Sequence, residues 1–175
     1  MNWRTILKAL EKRFGRNMGE LIDETERLLL RELDMTEVPA YREVVLRCPE
    51  GIEKDLLEAS GEEFKARHEA YIKYQYGFFG YGIWGLFLKN EPATLIGIAG
   101  VVNGEESGLG EVSYAILPEY RRQGYAYEAV KAVLEYGREA GFTRFIARID
   151  ADNEPSVRLA RKVGLTVQTS AANLR

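Results

Sequence analysis

Leu117-Pro118-Glu119-Tyr120-Arg121-Arg122-Gln123-Gly124-Tyr125-Ala126-Tyr127-Glu128-Ala129 is the stretch on which the reading of this chain turns. It begins where an apolar run, 111–117, reads as a strand. It ends inside the strongest helical pattern of the sequence, in which Ala126, Ala129, Val130, Val133, Gly137 and Ala140 share one face. Between the two lies a basic turn with a single glycine. A loop that enters a helix leaves the first N–H groups without intrahelical partners, and the helix dipole adds partial positive charge there. Gly124 keeps a side chain out of the path of an anion, Ala126 keeps the first turn slim, and Arg121 and Arg122 add mobile positive charge. The combination suits a phosphate-bearing ligand. Read on physics alone it is also compatible with an ordinary helix entry and solvated arginines.

Outward from the turn, Gly141 stands where a C-terminal helix glycine belongs. Residues 145–149 then read as a strand, 155–162 as a short helix closed by Gly164, and 165–169 as a last strand. Upstream, 83–88, 94–102 and 111–117 read as three strands joined by the turn residues Asn90-Glu91-Pro92 and Asn103-Gly104-Glu105. Before them, 52–59 and 62–75 look helical, as does 37–47, with Thr36 as its N-cap and Pro39 in its first turn. Residues 27–33 are strand-like. Trp3, Ile6, Leu7, Leu10 and Phe14 lie at helical spacing, ended by Gly15 and Gly19. This predicts an N-terminal helical extension, 1–26, ahead of one domain, 27–175. The order is helices, an antiparallel meander, then strand–helix–strand–helix–strand, which is an α/β (α+β) domain on a mixed sheet.

At 175 residues, with 46% hydrophobic and 29% charged side chains, the chain is long and apolar enough for one domain with a real core. A net charge of −3 speaks against nucleic acid as a partner. With no apolar run of membrane-spanning length and no secretory start, a protein of the cytoplasm without a membrane partner is expected. One cysteine, Cys48, and one histidine, His68, leave no internal disulfide, and little room for a zinc site or a histidine-based triad. No metal is expected. Alone, His68 reads more readily as a surface or structural residue than as a catalyst. Residues 119–175 carry ten basic and seven acidic side chains, and residues 1–118 fourteen and twenty. That asymmetry suits an anion at the turn and a cationic ligand facing the acidic half, although scattered surface charge would look the same.

Gly80-Tyr81-Gly82-Ile83-Trp84-Gly85 fits the G-x-G-x-x-G dinucleotide pattern by letter. The mechanism needs a helix opening inside the motif. Here a strand and a turn follow, and Tyr81 and Trp84 crowd the approach, so it does not read as a dinucleotide site. The surrounding stretch, 71–87, holds eight aromatics among 17 residues. It reads either as a packed strand edge with glycines making room for rings or as an acceptor-side wall.

Arg121-x-x-Gly124-x-Ala126 matches the acyl-CoA signature [R/Q]-x-x-G-x-[G/A] of the GNAT superfamily of N-acetyltransferases. The longer string 118–129 resembles its ribosomal-protein alanine/serine acetyltransferase branch (RimJ/RimL-type). Asn153-x-x-Ser156 followed by Lys162-Val163-Gly164-Leu165 resembles that branch's N-x-x-S-x-x-x-x-x-K-x-G-F segment. The three-position signature is weak alone. Two segments on the matching strand–helix pairs are strong, and the resemblance spans about 27–170.

The resemblance implies a mostly antiparallel central sheet flanked by helices and splayed between two central strands, with acetyl-CoA as cosubstrate. In it, backbone groups of Ile116 and Leu117 would pair with the pantetheine arm and help polarise the thioester carbonyl. Arg121, Arg122, Gln123, Gly124, Tyr125 and Ala126 would hold the pyrophosphate, chiefly through N–H groups, and Asn153 would hydrogen-bond the cofactor. The reaction implied is direct attack of a primary amine, from a protein N-terminus or a small molecule, in a ternary complex. A catalytically inactive CoA-binding sensor is the alternative. No activating base accompanies Cys48, which disfavours a covalent acyl-enzyme.

Glu111, at the start of the strand leading to the turn, is the candidate base; the other reading is an exposed strand-end carboxylate. Ser156 could orient or protonate the leaving thiolate, or be a plain first-turn hydroxyl. The tyrosine that many relatives use as general acid is Ala160 here, and their final phenylalanine is Leu165. The sequence ends at Arg175, about one β-hairpin short of what the resemblance leads one to expect. A naturally short member, a shortened chain and completion by a second copy in a homodimer remain open.

Overall fold

Leu28-Leu29-Leu30-Arg31 is buried at all four positions, the pattern of a strand covered on both faces. In a computed structural model, whose described residues are 19–50, 52 and 54–170, this strand is β2 of one seven-stranded sheet. The strands are β1 (Leu21–Glu24), β2 (Leu28–Arg31), β3 (Ile83–Leu88), β4 (Glu91–Asn103), β5 (Leu109–Ile116), β6 (Arg144–Asp150) and β7 (Thr166–Ser170), side by side in that order. The first five run antiparallel, and β5–β6 and β6–β7 are parallel. The helices are α1 (Val38–Arg47), α2 (Lys54–Glu58), α3 (Gly61–Tyr71), α4 (Tyr125–Glu139) and α5 (Glu154–Lys162). None of the described helices is long and apolar enough to cross a membrane.

Strand alternation sorts the core into two layers. Leu28, Leu30, Trp84 and Leu86 meet Ala129, Val130 and Val133 of α4. Leu29, Phe87 and Ile98 point the other way, onto Val44 of α1 and Cys48. The mixed α/β sheet flanked by helices is the expected architecture, with local departures. Residues 21–24, expected within a helical extension, form β1 and pair with β2, so the sheet begins before Arg27. The expected helix of 3–14 lies outside the described residues, as does the chain after Ser170. The N-terminal cap before α1 is Asp34, not Thr36. Asp34 Oδ1 accepts the Thr36 N–H at 2.6 Å, and Glu37 returns the bond to the Asp34 N–H at 3.1 Å, so a short 3₁₀ turn precedes the helix.

The segment expected as one helix over 62–75 is α-helical to Tyr71, then π-helical over Ile72–Phe79, and stops at Gly80 with φ 74°. In a π-helix the hydrogen bonds run from i to i+5, so residues five apart stack on one face. Tyr71 and Tyr76 are such a pair. The Tyr71 hydroxyl accepts the Ile83 N–H at 2.8 Å, and the Tyr76 hydroxyl donates to the Ile83 carbonyl. The wide turn lets two phenols bracket one residue at the start of β3. The aromatic stretch is therefore helix and then strand, not a strand edge.

β5 and β6 pair only at Leu109↔Arg144, Gly110↔Phe145 and Glu111↔Ile146. Beyond Glu111 they part, while β6 stays with β7 as far as Asp150↔Ser170. The sheet is splayed between these two strands.

Candidate active site

The splay exposes a strand edge inside the molecule. Leu117 N–H bonds the Ile96 carbonyl and Gly104 N–H bonds the Leu109 carbonyl, so the odd-numbered residues of β5 face β4. By antiparallel alternation the N–H and C=O groups of Val112, Tyr114 and Ile116 face β6, which is no longer there to take them. The Ile116 carbonyl accepts from Arg121 Nε at 2.8 Å and from the Cys48 thiol at 3.4 Å. The others form a ladder open to an extended ligand.

Two clefts meet at this gap. One, of about 720 Å³, lies on the α4–α5 side and is walled by Ile116, Arg121, Arg122, Gly124, Tyr125 and Ala126, with Lys162 farther along. The other, of about 890 Å³, lies on the α1–α3 side, with Tyr41, His68 and Tyr71 forming an aromatic wall opposite Glu111 and Arg148. Glu50, Tyr114, Ala115, Asn153 and Ser156 belong to both walls.

The first cleft is lined by the basic turn 121–126, an anion cradle by its shape. Gly124 takes φ 84°, ψ 0° as the N-cap of α4, and no side chain caps the helix, so its first N–H groups are left for a ligand. Arg122 also has positive φ, 61°. Left-handed residues interleaved with ordinary ones curl successive N–H groups into an anion-binding concavity. Uncapped N–H groups curled around these two left-handed residues, with two arginines in the turn, are the fit expected of a pyrophosphate site. Arg121, at the mouth, is tied down by the Ile116 carbonyl and touches Cys48 Sγ at 3.5 Å. Burial pushes the Cys48 thiol up, more than Arg121 draws it down. That keeps it a thiol rather than a nucleophilic thiolate.

Not every expected residue reaches the cleft. Leu117 packs into the α1-side core and gives its N–H to β4. Gln123 turns its amide back to the Glu119 carbonyl at 3.2 Å. Asn153 caps α5, its Oδ1 accepting the Ser156 N–H at 3.3 Å, which leaves the donor end of the amide for a ligand. Ser156 stands half-buried in the first turn of α5, at the junction of the clefts. Ala160 is fully buried in the core. Glu111 lines the second cleft, 24% exposed, its Oε2 3.1 Å from Arg148 Nε, while Arg148 Nη2 reaches Glu105 at 2.9 Å.

His68 is buried, and its Nε2 is 2.8 Å from the Leu33 carbonyl. A carbonyl only accepts, so Nε2 carries the proton. Burial lowers the affinity of the ring for a second one.

Tyr114 was not singled out from sequence. It shares a strand face with Val112 and Ile116, a signal that alternation carries, but the gap it spans has no signature. Its hydroxyl donates to the Ser156 carbonyl at 2.8 Å, and burial pushes the phenol up to about 12. Among the described residues no group of three or more His, Cys, Asp or Glu could hold a metal.

The family described as acetyltransferase (GNAT) domain matches residues 27–166. An uncharacterized N-acetyltransferase of Bacillus subtilis, YnaD, is 41% identical over 56 residues, 31% of this chain and 33% of that protein. The mouse alpha/beta-tubulin-N-acetyltransferase 9 is 43% identical over 61 residues, 34% of this chain and 25% of that one. The chain spans between about a quarter and about half the length of the curated relatives it matches. Among solved structures, RimL, a ribosomal L7/L12 alpha-N-protein acetyltransferase, superposes with a TM-score of 0.64 at 25% identity, covering 83% of this chain and 80% of that one. That neighbour supports the RimJ/RimL-like branch. With the family match running from β2 to the start of β7, through the cradle and the splay, this chain belongs to the GNAT acetyltransferase family.

Proposed function

We propose that the protein transfers an acetyl group from acetyl-CoA to a primary amine by direct attack in a ternary complex. The observation that carries this reading is the meeting of the two clefts at the splay. A cosubstrate lying in one and an acceptor entering the other reach each other only there. The cosubstrate supplies an activated thioester. The cradle N–H groups, with Arg121 and Arg122, would hold its pyrophosphate, and the open backbone groups of β5 would pair with its amide arm.

Glu111 stands on the acceptor side, held in orientation by Arg148, where a carboxylate can take the proton of an incoming ammonium directly or through water. Ser156, at the junction of the clefts, would donate toward the departing sulfur. Glu50, Glu111 and Asp150 give the acceptor cleft carboxylates that favour a cationic acceptor, with Arg67 and Arg148 beside them. The neighbour named as a ribosomal L7/L12 alpha-N-protein acetyltransferase directs attention to protein N-termini, the relative named for tubulin to a protein acceptor, and small amines are the other acceptor class.

The test is thiol release from acetyl-CoA across a panel of N-terminal peptides and small amines, beside calorimetric titration of the cosubstrate. Binding at micromolar concentration with amine-dependent thiol release supports transfer. Binding without release from any acceptor favours the sensor alternative. No binding rejects the reading.

A further inference from the structure

Thr25 and Arg27 lie on the turn between β1 and β2, far from the cradle in sequence, yet they grip it from behind. Glu128, in the first turn of α4, is the anchor. Its Oε1 accepts the Arg27 backbone N–H at 2.7 Å and the Thr25 hydroxyl. Its Oε2 accepts Arg27 Nε at 2.7 Å and lies 2.7 Å from Nη2. The remaining arm, Nη1, donates to the Gln123 carbonyl at 2.9 Å. The guanidinium also lies over the Tyr125 ring, 4.4 Å from its centroid, and Nη2 is 3.3 Å from where a Cβ on Gly124 would stand. One planar group therefore touches three consecutive residues of the cradle and the first turn of its helix, without itself forming part of the cleft wall.

The consequence follows from peptide planarity. The Gln123 carbonyl and the Gly124 N–H belong to one peptide unit, and in the trans form they point in opposite directions. Fixing the carbonyl on Arg27 turns the Gly124 N–H away from Arg27, toward the cleft that Gly124 lines. Glu128 holds the guanidinium in place. Burial works against ionisation of this carboxyl, but the bonds from Thr25 and Arg27 outweigh it and keep the group below its ordinary range. The carboxylate thus stays charged through neutral pH.

We propose that Arg27, braced by Glu128, is a positioning residue of the pyrophosphate site, setting the Gln123–Gly124 peptide so that the Gly124 N–H is presented to the anion. This rests on the acetyl-CoA reading above.

The test compares two thioesters that share the reactive arm: acetyl-CoA, and S-acetylpantetheine, which has no pyrophosphate. Dissociation constants are measured for the wild type and for Arg27→Gln, Arg27→Lys and Glu128→Gln, with a thermal melt of each. Arg27→Gln is expected to weaken acetyl-CoA about tenfold, the scale of one charge-assisted hydrogen bond, and to leave S-acetylpantetheine unchanged. Glu128→Gln shifts acetyl-CoA several-fold in the same direction. Arg27→Lys also stays weak, because a single ammonium cannot hold the carboxylate and the carbonyl with a fork of donors.

Equal losses for both thioesters would reduce Arg27 to general scaffolding. A lysine variant that binds like wild type would leave only its charge in play, and unchanged affinities throughout would remove the role; each result overturns the proposal. If Arg27→Gln does not fold, the other two variants carry the same comparison. A wild-type protein that binds neither thioester sinks the acetyl-CoA reading itself, a result distinct from the failure of Arg27 alone.

Discussion

The Tyr114 hydroxyl donates to the Ser156 carbonyl at 2.8 Å across the gap where β5 and β6 have parted. Tyr114 is on the splayed strand and Ser156 in the first turn of α5, so this bond ties the two walls of the site where both clefts meet. With the phenol pushed up to about 12, it keeps its proton at any pH at which the protein works. Tyr114→Phe removes the tie while keeping the ring packing. The expected cost is about 1 kcal/mol, a drop in melting temperature of roughly 2–4 °C for a domain of this size. Differential scanning calorimetry of the variant checks it; an unchanged melt would mean that the gap is held open by packing alone.

Gly124 carries the cradle in a left-handed conformation with Arg27 close behind it. Gly124→Ala is expected to cost about 1–2 kcal/mol from backbone strain alone. The added methyl also presses on Nη2 of Arg27, so acetyl-CoA affinity falls with stability. Denaturant titration beside calorimetry separates the two losses. Wild-type affinity in a folded alanine variant would show that the anion is held elsewhere.

The strand–turn–helix from 111 to 140 was legible because three signals agree there: an apolar run, a glycine-bearing basic turn and an unbroken helical stripe. The path from Tyr71 to Gly80 was not, because a π-helix has neither the 3.6 nor the 2.0 repeat on which sequence reading relies. β1 is only four residues long and owes its existence to pairing with β2, which no local pattern reveals. The cradle could be read from Arg121 to Ala126, but its brace could not. Thr25 and Arg27 look like an ordinary turn until folding sets them against Glu128. Leu117 shows the converse, a residue chosen for its place beside the site whose side chain and N–H both serve the core.

His68 is buried with Nε2 bonded to the Leu33 carbonyl and has a lowered affinity for a second proton. A histidine depressed in the folded state, against an ordinary value of 6.5, is protonated first in the unfolded chain. The unfolded state therefore binds more protons below that pH, and stability falls as the pH drops through it, toward the folded-state value. Above pH 7 the contribution is fully present. His68→Gln keeps an N–H donor near the carbonyl but cannot titrate. Its unfolding free energy is expected to change less than that of the wild type between pH 7.5 and pH 5.5, measured by urea denaturation. Parallel curves for the two proteins would show that other groups set the acid response.

Glu111 stands on the last rung that β5 and β6 share, opposite Ile146, and its carboxylate is 3.1 Å from Arg148, two residues farther along β6 on the wall of the second cleft. The pairing fixes the carboxylate, and because Arg148 also binds Glu105, the guanidinium is divided between two acids. If Glu111 takes the proton of the amine, Glu111→Gln should lower kcat/KM for the acceptor by about a hundredfold or more. It should also erase the acidic limb of the pH–rate profile. The KM for acetyl-CoA should hardly move, since the proposed cosubstrate site is the other cleft. Arg148→Met should lower kcat/KM less than Glu111→Gln does, because it frees the carboxylate but leaves the base. A glutamine variant with an unaltered pH profile would assign the proton to solvent, and Glu111 would then be a strand-end partner of Arg148 and nothing more.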